Sequence, residues 1–483
     1  MSKQGGLATV LALMLLAAGC ATPKHLATKL PNDHPPAVPQ EKHQAELRLV
    51  SAGLPVDPAG SIIFDGSLSV DAVSAYAVAN NPEVKAARAK ARALGAVVPQ
   101  VTSLEDPQLS STAFLDAIET AAGRQEVVLS LSQKFPWFGK LRIRGNVAGS
   151  TAQAACREAI AAELKVVEQA KRAYYELYFL EGSIDVNREL EPRLEDVIEI
   201  VKAKYRTDAQ QTGLETVYQA EIELSELRSR IAELEQARAR AQARLLEAMH
   251  LGPATQLDVQ PALSQVKVPQ QPHLLVAMVE SCQPELDARR WDIQRNRWAV
   301  DLASKEYYPD VTLGANWYGI DSAGISPVAD GDDAFSVLVG VNIPIYRGRL
   351  NAAVCEARAR VTQSCRQYAA EEDQVVADVV ALHAEIIEHQ RVLGYLQEDI
   401  LPKSQETLEL SVEAYRQDRI DFERLIDTYR DLLRASLREL KQQALREQAI
   451  AALERRIGCA ATTWSAEEIA LPESVQPETL PKP

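Results

Sequence analysis

A chain of 483 residues with a net charge of −15 is long enough for about three ordinary domains, yet only 5% of it is aromatic, too little for several compact cores. Ala, Leu, Glu, Arg and Gln crowd its middle, the composition of long helices and coiled coils. The acidic balance excludes the basic face that phosphate recognition needs, so no nucleic-acid partner is expected.

The first element is a signal segment, 1–19. Lys3 precedes an apolar run over 7–18, which has the length of a signal-peptide core and is too short for a bilayer span of roughly 20 apolar residues. The run ends in Leu16-Ala17-Ala18-Gly19-Cys20. This resembles a bacterial lipoprotein cleavage box with Cys20 as the lipidated first residue, although leucine is more usual where Ala17 stands. By the same resemblance Ala21, being other than Asp, implies sorting to the outer membrane, with acyl chains such as palmitate on Cys20. The competing reading is an ordinary signal peptide with an incidental cysteine. Residues 20–68 carry Pro23, Pro31, Pro35, Pro36, Pro39, Pro55 and Pro58 and read as an extended lead-in.

An internal repeat follows. Asn81-Pro82-Glu83 recurs as Gln283-Pro284-Glu285, and Phe135-Pro136-Trp137-Phe138-Gly139-Lys140-Leu141 recurs as Ile343-Pro344-Ile345-Tyr346-Arg347-Gly348-Arg349-Leu350. Ala203-Lys204-Tyr205-Arg206 recurs as Glu413-Ala414-Tyr415-Arg416. The period is far too long for a solenoid, so one large unit has been duplicated: 69–258 and 273–458, joined by a linker at 259–272 and followed by a Pro- and Glu-rich tail, 459–483, disordered at its end.

Each unit has the same grammar. A helix over 69–104 or 273–307 leads into two strands. In the second unit Val311, Leu313, Ala315 and Trp317 alternate with Thr312, Gly314, Asn316 and Tyr318, and Phe335, Val337, Val339, Val341 and Ile343 alternate with Ser336, Leu338, Gly340 and Asn342. The first unit gives weaker strands at 107–117 and 124–135. Segments of about ten residues suit tilted transmembrane strands, and a soluble hairpin is the plainer alternative. Long helical stretches follow over 139–206 and 348–417, each rising on the order of 100 Å, with Pro192 and Pro402 expected to kink them. After a turn, 214–250 and 421–457 run back, with Val217, Ala220, Leu224, Leu227, Ile231 and Leu234 forming a coiled-coil seam. The returning pieces balance the long helices, which predicts two breaks at one level, a belt midway along a hollow α-barrel. Cys156, Cys282, Cys355, Cys365 and Cys459 form no CxxC pair, so small buried residues are expected rather than a disulfide framework or zinc site, although an oxidising compartment permits some pairing.

Four strands cannot close a barrel, and open strand edges are not tolerated in lipid, so inserted strands require several copies. The run Gln133-Lys134-Phe135-Pro136-Trp137-Phe138-Gly139-Lys140-Leu141 closely resembles the strand-to-helix junction of TolC-like outer-membrane efflux proteins, strongest in the branch of heavy-metal and multidrug efflux outlets. Glu105-Asp106-Pro107-Gln108-Leu109 and the stretch from Tyr205 through Leu224 resemble the same branch, and the resemblance covers 70–458. It implies a mainly α chain with membrane β: a long antiparallel coiled-coil α-barrel under a shared transmembrane β-barrel, four strands per chain and twelve per homotrimer. It also implies docking to a periplasmic adaptor, the membrane fusion protein, and an inner-membrane pump of the RND type.

Such a channel should close where its coiled coils turn, at 205–216 and 415–427. The candidate gate residues are Tyr205, Asp208, Glu215, Tyr415, Arg416, Asp418, Arg419, Asp421 and Asp427, with Arg206 and Arg424 beside them. Rotational symmetry turns one acidic side chain into a ring that favours cations. By resemblance Asp427 lines such a ring and Tyr415 tethers the closed tip, with inter-chain Arg–Asp bonds holding it shut. Solvated turn charges are the bland alternative for any one of these residues. The family usually has Gly where Asp208 and Asp418 stand, and its tip arginine aligns with Arg419 or is absent.

No P-loop, nucleophile elbow or HExxH is present, and His250, His273, His383 and His389 have no plausible catalytic partners, so neither catalysis, cofactor nor metal site is expected. Drugs, metal ions and polypeptides of a type I secretion route all stay open as cargo. A non-pore, lipid-anchored coiled-coil scaffold is the competing class, against which the alternating strands at 311–317 and 335–343 speak.

Overall fold

Proline placement divides the helices. The computed structural model describes residues 69–207, 213–253, 255, 263, 266–322, 328, 330–461 and 464; the signal segment, the lead-in 20–68 with Cys20, and Asp208 lie outside them. The expected helix 69–104 is three pieces: α1 (Val70–Asn80), α2 (Pro82–Gly95) and α3 (Val97–Thr102). Its counterpart 273–307 is two, α6 (Pro272–Cys282) and α7 (Pro284–Lys305). Both break at the repeated Pro-Glu pair rather than running through it. Proline cannot donate to the preceding turn but suits the first helical position, and the residue before it becomes the cap. Asn81 Oδ1 accepts from Glu83 N at 2.7 Å, and Gln283 Oε1 accepts from Glu285 N at 3.4 Å.

The strands are β1 (Gln108–Thr120), β2 (Gly123–Phe135), β3 (Val311–Asp321) and β4 (Ala334–Val341), antiparallel in the order β1-β2-β3-β4. The first hairpin, weaker by its sequence, is the longer: 13 residues in each strand against 11 and 8. Serine and threonine in β1 blur its alternation, but pairing along β2 does not need an apolar side chain at every second position. Backbone pairing outlasts β4, since Asn342 N donates to Asp310 O at 3.3 Å. The β1–β2 turn depends on Gly123, whose φ is 124° and where a Cβ would lie 1.9 Å from Asp321 O.

The long helices are α4 (Lys140–Thr207, 68 residues) and, in the second unit, α8 (Arg347–Tyr395), a π turn (Leu396–Ile400) and α9 (Leu401–Arg416). The two prolines therefore act differently. α4 stays helical through Pro192, whereas Pro402 follows a wide turn in which Leu401 N donates to Leu396 O. The returning helices are α5 (Leu214–Met249) and α10 (Phe422–Ile457). Their apolar faces form three clusters. Val73, Ala77, Tyr174, Leu177, Leu245 and Met249 join α1, α4 and α5. Leu275, Val279, Val379, Ile386, Leu453 and Ile457 join α6, α8 and α10. The third, including Leu194, Val201, Val217, Leu425 and Tyr429, lies toward the tips.

The cysteine expectation needs correction. Cys282 and Cys459 are bonded, with Cα atoms 5.8 Å apart across a sequence separation of 177. Chain reversal brings the end of α10 back to the end of α6, so spacing along the sequence was a poor guide to proximity. None of the five described cysteines is buried: Cys156 and Cys355 are exposed, and Cys365, Cys282 and Cys459 are intermediate.

Candidate functional site: a two-faced sheet and two coiled-coil tips

Register decides what each face of the sheet carries. Leu109 sits opposite Leu131, Leu131 opposite Ala315, and Ala315 opposite Val337. With Leu129, Leu313, Trp317, Phe335, Val339 and Val341 these build one apolar face across all four strands. The opposite face carries Ser110, Ser130, Asn316 and Ser336 in one row and Gln108, Ser132, Gly314 and Leu338 in the next. On that face Asn316 Nδ2 donates to Ser336 Oγ at 3.0 Å. The apolar face is largely uncovered, with Phe335 at 69%, Val337 at 78% and Val339 at 64% exposure. A face of that kind demands an apolar neighbour, because each buried methylene is worth about 0.8 kcal/mol. The outer edges of β1 and β4 have no strand partner in this sheet.

The sheet is fixed to the helices through a buried ammonium group. Lys140, 1% exposed, donates to Asp310 Oδ1 at 2.8 Å and to Tyr308 O at 3.4 Å, with Glu306 Oε2 at 3.5 Å. Trp137 N also donates to Asp310 Oδ1, at 3.0 Å, and the Trp137 ring stacks on Tyr308 with centroids 5.5 Å apart. A charge so buried is tolerated only when its donors are met, as they are here.

At the far end, α9 stops in a left-handed residue. Asp418 has φ 57°; its N–H donates to Tyr415 O at 3.2 Å, and Arg419 N donates to Ala414 O at 2.9 Å. Aspartate thus does tolerate this position, at a backbone cost glycine would not bear. Asp421 caps α10, its Oδ1 accepting from Arg424 N at 2.9 Å. Tyr415 is 5% exposed and packs edge-on to Phe422 with centroids 6.4 Å apart. Lys204 of the first unit lies 4.6 Å above the Tyr415 ring and forms an ion pair with Asp418. Burial raises the Tyr415 hydroxyl above its ordinary range, and the Asp418 charge adds to the shift.

The sequence-derived gate residues therefore separate into groups. Tyr415 and Asp418 come together, but around Lys204, which is not among the residues the sequence pattern marks for the gate. Lys204 aligns with Ala414 in the repeated Tyr-Arg motif, and this mismatch between repeats was the available signal. Asp427 lies 3.6 Å from Arg430, which in turn bonds Glu223 across the α5–α10 seam. Among the described residues Arg416 pairs only along its own helix, with Glu413 at 3.7 Å. Arg419 and Glu215 are exposed and have no ion-pair partner among the described residues, and Tyr205 is half-buried against the tip cluster. Within one chain the carboxylates of Asp418 and Asp427 pair with Lys204 and Arg430, while Asp421 caps the backbone of Arg424.

These features define a class: long helical hairpins carrying an open-edged, two-faced sheet. Residues 275–459 match the family model described as outer membrane efflux protein. The fusaric acid resistance protein FusA of Burkholderia cepacia is 25% identical over 362 residues, 69% of this chain and 67% of that protein. Among solved structures, the outer membrane protein VceC of Vibrio cholerae superposes with a TM-score of 0.66 at 18% identity, covering 81% of this chain and 96% of that one. The open state of the Neisseria gonorrhoeae MtrE outer membrane channel gives 0.65 at 16% identity, covering 81% and 89%. Residues 275–459 thus match the outer membrane efflux protein family, and the chain has the fold of these outer-membrane proteins, the MtrE channel among them.

Proposed function

We propose that three copies of this chain form the outer-membrane channel of a tripartite efflux system, lipid-anchored at Cys20, which exports small toxic compounds, drugs or metal ions. The observation that carries this reading is the sheet: one face apolar and uncovered, the other polar, with both edges unpaired. Three such sheets edge to edge make a closed barrel whose apolar face meets lipid and whose polar face lines a wet lumen. Helices rising about 100 Å beneath it extend the passage through the periplasm. At the tips, Asp418, Asp421 and Asp427 would repeat as acidic rings. A periplasmic adaptor linked to an inner-membrane RND-type pump opens them, and the groove of about 280 Å³ between α5 and α10, lined by Ile222, Glu223, Phe422 and Asp427, offers it a hold. The name of the Burkholderia relative favours a small toxic compound over a polypeptide cargo.

Purified protein in detergent should run as a trimer that dissociates only on heating, and should conduct in planar bilayers, more so after Lys204→Ala loosens a tip. A monomer without conductance would end the channel reading. Deleting the chain and testing sensitivity to fusaric acid, dyes and metal salts identifies the cargo class. Cys20→Ser should abolish incorporation of labelled palmitate while leaving the fold intact.

A further inference from the structure

Inside the chain the two repeats meet along one seam. β2 pairs with β3, and α4 packs against α7 beneath them. That seam is fastened by Lys140, donating to Asp310 and to the Tyr308 carbonyl, with Trp137 covered by the Tyr308 ring. The duplication supplies a second set of the same parts. Arg349 follows Gly348 and precedes Leu350, as Lys140 follows Gly139 and precedes Leu141. Pro107 stands to Pro309 as Pro82 stands to Pro284, which sets Asp106 against Tyr308 and Gln108 against Asp310.

This second set is taken apart within one chain. Arg349 is on the corner after β4, at one edge of the sheet, and Asp106 is on the corner before β1, at the other. Both are exposed, and neither has an ion-pair partner among the described residues. Ile345 and Tyr346, which align with Trp137 and Phe138, are 64% and 73% exposed. The charges are complementary: Arg347 and Arg349 on one corner, Glu105 and Asp106 on the other. The acid has moved from the position of Asp310 to that of Tyr308, and the longer guanidinium suits the change.

Sheets set edge to edge bring β4 of one copy beside β1 of the next, and we propose that Arg349 there takes the part of Lys140, held by Asp106 of the next copy. The seam between copies is then a quasi-repeat of the seam within a copy, head to tail, and closes where the rotation closes. This rests on the channel reading but names the contact that fastens the barrel to the helices at every subunit boundary.

The test starts from a chain in which Cys156, Cys355 and Cys365 are serine. With Asp106→Cys and Arg349→Cys together, a short bis-maleimide should convert the detergent-purified oligomer into a ladder ending in one closed covalent ring on denaturing gels. Either substitution alone should leave monomer. If light scattering shows the oligomer but the double variant does not cross-link, this inference falls and the channel reading stands; a monomer by light scattering removes both. Charge exchange gives an independent readout. Arg349→Glu and Asp106→Arg should each lower the temperature at which the oligomer dissociates in SDS, and the two together should restore most of the loss. Failure of the double variant to recover, with helix content unchanged, would overturn the pairing.

Discussion

The two repeats both end their returning helices on a left-handed residue and secure that end by different means. α5 closes on His250 and α10 on Gly458, both left-handed, with φ 57° and 89°. After His250 the first repeat continues with Leu251, which packs on the α1–α4–α5 cluster. After Gly458 the second continues with Cys459, bonded to Cys282. The second joint is also tighter. Gln283 Nε2 donates to Arg456 O at 2.8 Å, and a Cβ on Gly458 would lie 2.5 Å from Cys282 O. Around it Arg455 pairs with Glu168 at 2.9 Å and Arg456 with Asp378 at 3.0 Å, tying α10 to α4 and α8. The comparison teaches that a left-handed helix end does not by itself exclude a side chain, since His250 forms one; at Gly458 the close approach of the Cys282 backbone also leaves no room for a Cβ.

The largest expected effect comes from removing the covalent link. Cys282→Ser with Cys459→Ser should cost about 2–5 kcal/mol, read as a lower thermal midpoint in detergent, with the same loss in wild type under reductant. If reductant leaves the midpoint unchanged, the two joints are equivalent and the contrast fails. Gly458→Ala should cost at least about 2 kcal/mol, since it adds both left-handed strain and a backbone clash. His250→Gly should do the opposite, stabilising by about 1 kcal/mol, because glycine relieves the left-handed strain that histidine bears there. The smallest effect is at the tip and depends on pH. A tyrosine whose folded pKa lies above its unfolded value contributes stability fully present below about pH 10 and lost as pH rises through the folded value. Tyr415→Phe should therefore flatten the alkaline end of the stability profile, and ultraviolet titration should lose one late-ionising phenol.

Much of this architecture was legible because it is written in local patterns. Alternation from Val311 to Tyr318 and from Phe335 to Val341 reflects a sheet with one apolar face, and register then confirmed which residues share it. Pro82 and Pro284 fall inside helices that the sequence pattern runs as single pieces, yet each opens a new helix capped by the side chain before it, Asn81 or Gln283. What escaped was proximity between distant segments. Nothing near Cys282 announces Cys459, and nothing near Lys204 announces Asp418, because both pairs are created by chain reversal. The tip could be located from its turn residues, but the partners of its aspartates came from the facing hairpin.

The π turn at Leu396–Ile400 has a mechanical consequence. Below it α9 is a rod of 16 residues, about 24 Å long at the usual helical rise. Bending of about 10° at that one wide turn swings the far end through about 4 Å, the width of a water molecule and more. α4 has no such wide turn beside Pro192, so of the two long arms that reach the tips, only that of the second repeat carries this elbow.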